Sequence, residues 1–226
     1  MERRHVLHDR ADGTVTDGPR IIDRTFVSGR FAVHRPEGLR GWAFAGRRGD
    51  HDLNPGTVPR DRLTPAAVLV PLVERASGFT ILLTQRTAHL HDHAGQISFP
   101  GGRVEPCDER PEDCALREAR EEVGLAHDRV DLVGRLDHYV TGTGFEVVPV
   151  VGFVRQPFEL TPDPFEVADV FEVPLSFILD PVNHRREKYL RDGVERHFYV
   201  LPFEDRYIWG ATAGMLVNLS EVLRTL

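Results

Sequence analysis

The sequence is poor in cysteine, with two thiols, Cys107 and Cys114, among 226 residues. Two cysteines cannot build a disulfide framework, and without histidines they fall short of a structural zinc site. Long apolar runs are also missing. The longest, Ala66–Val70 continuing through Pro71 to Leu72 and Val73, is far too short to span a bilayer. The opening stretch MERRHVLHDRADG lacks the apolar centre that a signal peptide needs. Nor is there an excess of positive charge: 28 Lys and Arg stand against 35 Asp and Glu, a formal net charge of −7. That balance argues against a general nucleic-acid or membrane-surface binder. A phosphorylated small substrate stays open, because a bound divalent cation can carry the positive charge. The expectation is a cytoplasmic protein of a reducing compartment that takes a small molecule and neither nucleic acid nor membrane; a homodimer is admitted. What is present, 41% hydrophobic and 28% charged residues, is ordinary for a globular chain that buries a sizeable core.

Residues 1–62 differ in texture from the rest. They are rich in Arg, Asp, Gly and His, and their apolar stretches are short. Ile21-Ile22 and Phe26-Val27 suggest one weak strand or hairpin, and Gly38 to Pro59 reads as loop. This segment is treated as an N-terminal extension, packed or partly disordered, ahead of a domain over 63–226. From Pro65 the pattern sharpens. Strands are expected at Ala66–Val70, Phe79–Thr84 and Gln96–Phe99, followed by a loop over Gly101–Arg110 and a helix over Pro111–Val123. Pro suits the first helical turn, Glu112 and Asp113 suit its positive end, and Gly124 suits its stop. Further strands are expected at Val130–Val140, Phe145–Val154 and Val170–Val173, then a short helix through Leu179. A hairpin around Arg191-Asp192-Gly193 and a closing helix over Gly210–Leu226 complete the pattern. Strands and helices interleave without regular alternation, which points to an α/β fold with a mixed sheet.

The helix carries the chemistry. Glu118, Glu121 and Glu122 stand at i, i+3 and i+4 and share one face, while Leu116, Ala119 and Val123 can pack inward. Three carboxylates on one face repel each other, and they sit where the helix dipole disfavours negative charge. Two local rules broken at one place mark a functional site. A hard divalent cation such as Mg²⁺ would reverse the problem, binding carboxylate oxygens and bridging to phosphates. Taken alone, E-x-x-E-E reads as a solvated face paired with Arg117 and Arg120. The glycines Gly101-Gly102, directly after a strand, shift the balance, because they let backbone approach a metal or phosphate closely.

Gly102–Leu125, GRVEPCDERPEDCALREAREEVGL, resembles the Nudix box, whose pattern is G, five residues, E, seven residues, then REUxEExGU with U aliphatic. Arg117–Leu125 matches the second half, with Ala119 at the first U. In the first half Asp108 has the spacing to Gly102 and Glu109 the spacing to Arg117, so either can take the acidic place. The preceding Leu82-Leu83-Thr84-Gln85-Arg86-Thr87, with Gly95-Gln96 and Phe99-Pro100-Gly101-Gly102, resembles the signature of the coenzyme A diphosphatase branch. Thr87 replaces the usual Ser, and His91 stands where a basic residue is expected.

The resemblance implies a Nudix fold, an α/β/α sandwich around a mixed β-sheet. It implies a diphosphatase, a hydrolase of phosphorus-containing anhydrides, that cleaves coenzyme A and its thioesters to 3′,5′-ADP and (acyl-)4′-phosphopantetheine. Another nucleoside diphosphate derivative such as ADP-ribose, or a silent metabolite binder, is the alternative. Mg²⁺ or Mn²⁺ would be held by Glu118, Glu121, Glu122 and a backbone carbonyl at Gly102 or its neighbour Gly101. Catalytic roles fall to Glu118, Glu121, Arg117 and Glu166, with Glu172 the weaker candidate for the last. Substrate contacts fall to Arg86, Thr87, Gly95, Gln96, Phe99, Gly101 and Gly102.

Other features read more plainly. His89, His91 and His93 could bind zinc or copper as H-x-H-x-H, but a polar loop is preferred. His184–Lys188 is a basic cluster read as a solvated turn that could meet a 3′-phosphate. Cys107 and Cys114 are read as non-catalytic, since hydrolysis by metal-activated water needs no thiol.

Overall fold

Asp23 opens the first helix by accepting the Phe26 N–H at 2.7 Å, and α1 (Arg24–Val33) follows. The expected strand around Phe26-Val27 is therefore a helix. Val27 and Phe31, four apart on one face, are its buried residues, a spacing that the adjacent apolar pairs conceal. In this computed structural model the described residues are 22–34, 47–56, 62–89, 94–191 and 193–224. The stretch expected as loop over Gly38–Pro59 contains β1 (Arg47–Gly49) and a 3₁₀ turn at Asp50–Leu53, the rest of it falling largely outside the described residues.

The central strands are β2 (Thr64–Arg75), β3 (Gly78–Arg86), β4 (Ile97–Ser98) and β5 (Gly101–Arg103). Helix α2 (Pro111–Val123) follows, with the expected bounds. The expected Val130–Val140 strand is two, β6 (Val130–Arg135) and β7 (His138–Val140), and β8 (Phe145–Val154) and β9 (Val167–Pro174) complete the large sheet. After α3 (Leu175–Leu179), strands β10 (Arg185–Arg191), β11 (Val194–Phe203) and β12 (Arg206–Trp209) form a small antiparallel sheet, and α4 (Gly210–Arg224) ends the fold. The basic cluster expected as a turn thus lies mostly in a strand, and β12 was not expected.

The large sheet runs β1-β7-β8-β2-β3-β4, with β5 also on β2, β6 on β8 and β9 on β3. The β1–β7 and β2–β8 pairs are parallel and the others antiparallel, which makes the sheet mixed. β2 shows why helices cover both faces. Ala67, Leu69 and Val73 point to a core shared with Cys114, Ala115, Ala119 and Val123 of α2. Ala66, Val70 and Leu72 point to the opposite core, shared with Val27, Phe31, Ile178 and Leu216. The result is the expected α/β/α sandwich. No helix among the described residues is long and apolar enough to cross a membrane.

Candidate active site

Pro111 starts α2, the Asp113 carboxylate accepts the Arg110 N–H at 2.9 Å, and Gly124 ends it with a left-handed φ of 71°. Ala115 and Ala119 face the sheet and let the helix lie close to β2 and β5. Arg117, Glu118, Glu121 and Glu122 of the helix are then presented along β5.

Arg117 is the hub. Its guanidinium donates to Asp108 at 2.9 and 3.1 Å, to Glu118 Oε1 at 2.9 Å, to Glu121 Oε2 at 2.9 Å and to the Arg103 carbonyl at 3.1 Å. This resolves the acidic place left open by spacing. Asp108 is buried against Arg117, whereas Glu109 is exposed. The hydrogen bonds from Arg117 hold the Asp108 carboxyl below its usual range, and those to Asp108 raise the guanidinium in turn.

Glu118 and Glu122 flank the two glycines. The Glu118 carboxylate lies where a Cβ on Gly102 would stand, and Gly101 N–H donates to Glu122 Oε2 at 3.2 Å. Glu122 is 4% exposed, and burial pushes its carboxyl up to about 8, with Glu118 and Glu166 adding and the Gly101 N–H and Arg86 opposing. Burial also raises Glu118, against the bond from Arg117, and Glu121 and Glu166 add to it. Arg86 brings the nearest counter-charge to Glu122, Nη1 to Oε1 at 3.7 Å.

Glu166 is delivered by the loop after β8. Thr161 N–H donates to the Val123 carbonyl and Asp163 N–H to that of Glu122, each at 2.9 Å, so the loop hangs on the C-terminal carbonyls of α2. Thr87 N–H then takes the Glu166 carbonyl at 2.9 Å. Glu172 lies elsewhere, ion-paired with Arg75 and accepting from Thr80 Oγ1 at 2.6 Å.

Several expected contacts are corrected. Phe99 is 2% exposed in the core beneath the sheet, so its ring is packing and not a substrate surface. The Thr87 hydroxyl donates to the Phe165 carbonyl at 2.7 Å, which makes it an anchor for the Glu166 loop. Gly95 turns the chain with φ 70°, and the Gln96 carbonyl accepts Arg86 N–H at 2.9 Å. The Gly102 carbonyl accepts the Cys114 thiol at 3.7 Å. Glu121 does not close with Glu118 and Glu122. Its side chain is 58% exposed and turned to Arg117. Among the described residues no three His, Cys, Asp or Glu side chains converge closely enough to hold a metal ion. His91 and His93 lie outside the described residues. Sequence reasoning missed Asp163, whose backbone carries the Glu166 loop, and Phe165; neither sits in a diagnostic spacing.

The donor chemistry nevertheless fits a hard divalent cation. Glu122 is raised by the like charges of Glu118 and Glu166, and Glu118 by that of Glu166; Glu118 occupies the space that a side chain at 102 would fill, and all donors are carboxylate oxygens. Glu121 joins them only by leaving Arg117.

Residues 63–193 match the NUDIX domain. An uncharacterized Nudix hydrolase NudL of Yersinia enterocolitica is 39% identical over 156 residues, 69% of this chain and 80% of that protein. The corresponding protein of Yersinia pestis is 37% identical over 156 residues, 69% and 78% of the two chains. The crystal structure of a C. elegans Ap4A hydrolase binary complex is 21% identical, with a TM-score of 0.43 over 49% of this chain and 80% of that one. Hydrolases of this kind act on nucleoside diphosphate derivatives and generally use divalent metal cations. The domain match, and relatives aligned over most of both chains, lead to one conclusion: the chain belongs to the Nudix hydrolase family and is an enzyme.

Proposed function

We propose that the enzyme hydrolyses the diphosphate of coenzyme A and its thioesters, in the cytoplasm, through a hydrolase domain over 63–226 with residues 1–62 as an extension. One observation carries the reading. The segment that resembles the coenzyme A branch, Leu82–Gly102, folds so that Arg86 and Gly101 both reach Glu122 of the carboxylate helix. Glu118, Glu122 and Glu166, with Glu121 swung from Arg117, would hold Mg²⁺ or Mn²⁺. A bound divalent cation supplies an activated water and neutralises phosphoryl charge. Arg117 fixes Glu118 by a charge-assisted bond, Arg86 offers a planar fork to a phosphate, and Glu166 or Glu118 takes the proton of the attacking water.

The test is product identification by mass after incubating coenzyme A, ADP-ribose, NADH and nucleoside triphosphates with Mg²⁺ or Mn²⁺. Cleavage of coenzyme A to 3′,5′-ADP and 4′-phosphopantetheine is expected. Arg86→Ala should lower kcat/KM for it, with weak rescue by Lys, which lacks the fork. Coenzyme A left intact while ADP-ribose is cut overturns the proposal, and so does no turnover of any compound.

A further inference from the structure

Among the exposed large apolar side chains of the described residues, Phe165 is the one that adjoins the site in sequence. It is 63% exposed and immediately precedes Glu166. Its backbone is pinned on both sides. Phe165 N–H donates to Asp163 Oδ1 at 2.8 Å, and its carbonyl accepts from Thr87 Oγ1 at 2.7 Å. Asp163 and Glu166 are themselves tied to α2 and to Thr87 just past the end of β3, so the loop presents the ring from a fixed base. The ring meets the His89 imidazole at 4.8 Å between centroids, tilted by 60°. His89 lies three residues beyond Arg86. The two rings thus stand where the strand carrying Arg86 and the loop carrying Glu166 leave the site together.

An aromatic ring set on a pinned backbone and left in water contributes little to folding, because its apolar surface stays solvated. It is, however, pre-organised to receive a flat partner at low entropic cost. The neighbouring carboxylates disfavour an anionic group at the ring. A neutral heterocycle meets both conditions, and every nucleobase has a π-face that stacks on an aromatic side chain. We propose that Phe165, backed by His89, is the stacking platform for the nucleobase of the substrate. The proposal rests on the nucleoside-diphosphate activity of this site and not on coenzyme A in particular.

The test compares 5′-AMP with ribose 5-phosphate, which share sugar and phosphate and differ in the base. Binding of each to the full chain with Mg²⁺ is measured by titration calorimetry. The parent is expected to bind 5′-AMP more tightly. Phe165→Ala should weaken 5′-AMP about tenfold, the scale of one base–aromatic stack, and leave ribose 5-phosphate within about twofold. Phe165→Trp should restore 5′-AMP, and His89→Ala should show a smaller loss in the same direction. The side chain is exposed, so the melting temperature of Phe165→Ala should stay near the parent value. Equal binding of the two probes by the parent, equal weakening of both by Phe165→Ala, or unchanged 5′-AMP affinity in that variant each overturn the proposal. The outcome is separable from the coenzyme A reading. An enzyme that cuts ADP-ribose and spares coenzyme A still carries an adenine for Phe165 to meet.

Discussion

Gly101 and Gly102 are neighbours in one short strand, yet they answer to different constraints. A Cβ on Gly101 would stand 2.5 Å from the Ala67 carbonyl and 2.6 Å from Val68 Cα, both backbone of β2 that cannot rotate away. A Cβ on Gly102 would stand 2.5 Å from the Glu118 carboxyl carbon, the movable end of a long side chain. Gly101→Ala should therefore push β5 off β2 and cost about 1–3 kcal/mol of stability, the usual penalty of overpacking. Gly102→Ala should fold with a melting temperature close to the parent's, because Glu118 can turn aside. Its turnover should nevertheless fall by roughly a hundredfold, since a displacement of about 1 Å in a catalytic group has that effect. Melting curves and kcat for both variants decide it. A Gly102→Ala enzyme with parental turnover would show that Glu118 does not need its place over the glycine. The paired glycines were visible in the sequence as a site of close approach. Which of them guards the strand and which the carboxylate depends on where β2 and α2 stand, and residue spacing does not contain that.

At the level of elements, α2 was legible to its ends because its signals are local: Pro111 at the start, an acidic first turn, Gly124 at the stop. The short strands β5 and β12 were not, because they exist only through partners distant in the chain, β2 and β11. α1 was misread for the same reason in reverse, since two apolar pairs suggest a strand until Asp23 is seen to cap a helix. The shared face of the three glutamates was legible, but their split between Gly101, Gly102 and Arg117 was not. That split makes a prediction about the helix. With Mg²⁺ or Mn²⁺ at roughly ten times its dissociation constant, one-site linkage adds about 1.4 kcal/mol to the folded state. In a chain of this size that raises Tm by a few degrees, at roughly 2–4 °C per kcal/mol. Glu122→Gln should be neutral or slightly stabilising in chelator, because it removes a desolvated carboxyl from among like charges. With Mn²⁺ it should lose most of the added stability. The check is melting of parent and variant in chelator and in saturating Mn²⁺. A parent without a metal-dependent shift, or a variant with the parent's shift, removes Glu122 from the metal site.

For the molecule as a whole, the described residues ahead of β2 are bound into the fold at several points. Val27 and Phe31 of α1 are buried in the core on the face of the sheet opposite α2. Arg30 Nε donates to the Val222 carbonyl of α4 at 3.0 Å, and Arg24 pairs with Asp131 at the start of β6 at 2.8 Å. β1 adds a parallel strand to β7, and Asn54 exchanges two hydrogen bonds with the His197 backbone, 2.7 and 2.9 Å, reaching the small sheet. Phe31 also packs over Gly134, where a Cβ would stand 2.9 Å from the ring. These contacts imply that α1 is part of the cooperative unit and that the site, on the other side of the sheet, does not depend on it directly. Truncating a buried phenylalanine removes its transfer free energy and leaves a cavity, together about 3–5 kcal/mol. Phe31→Ala should then lower Tm by roughly 6–20 °C, at about 2–4 °C per kcal/mol for a chain of this length. Below its melting range the variant should keep the parent's KM, because Glu118, Glu122 and Arg86 stand on α2 and β3, away from the cavity. The two measurements separate the outcomes. An unchanged Tm would mean that α1 is only draped on the surface and that the fold is complete without it. A lowered Tm with a raised KM at low temperature would mean that the two faces of the sheet are coupled through β2, whose residues alternate between the two cores.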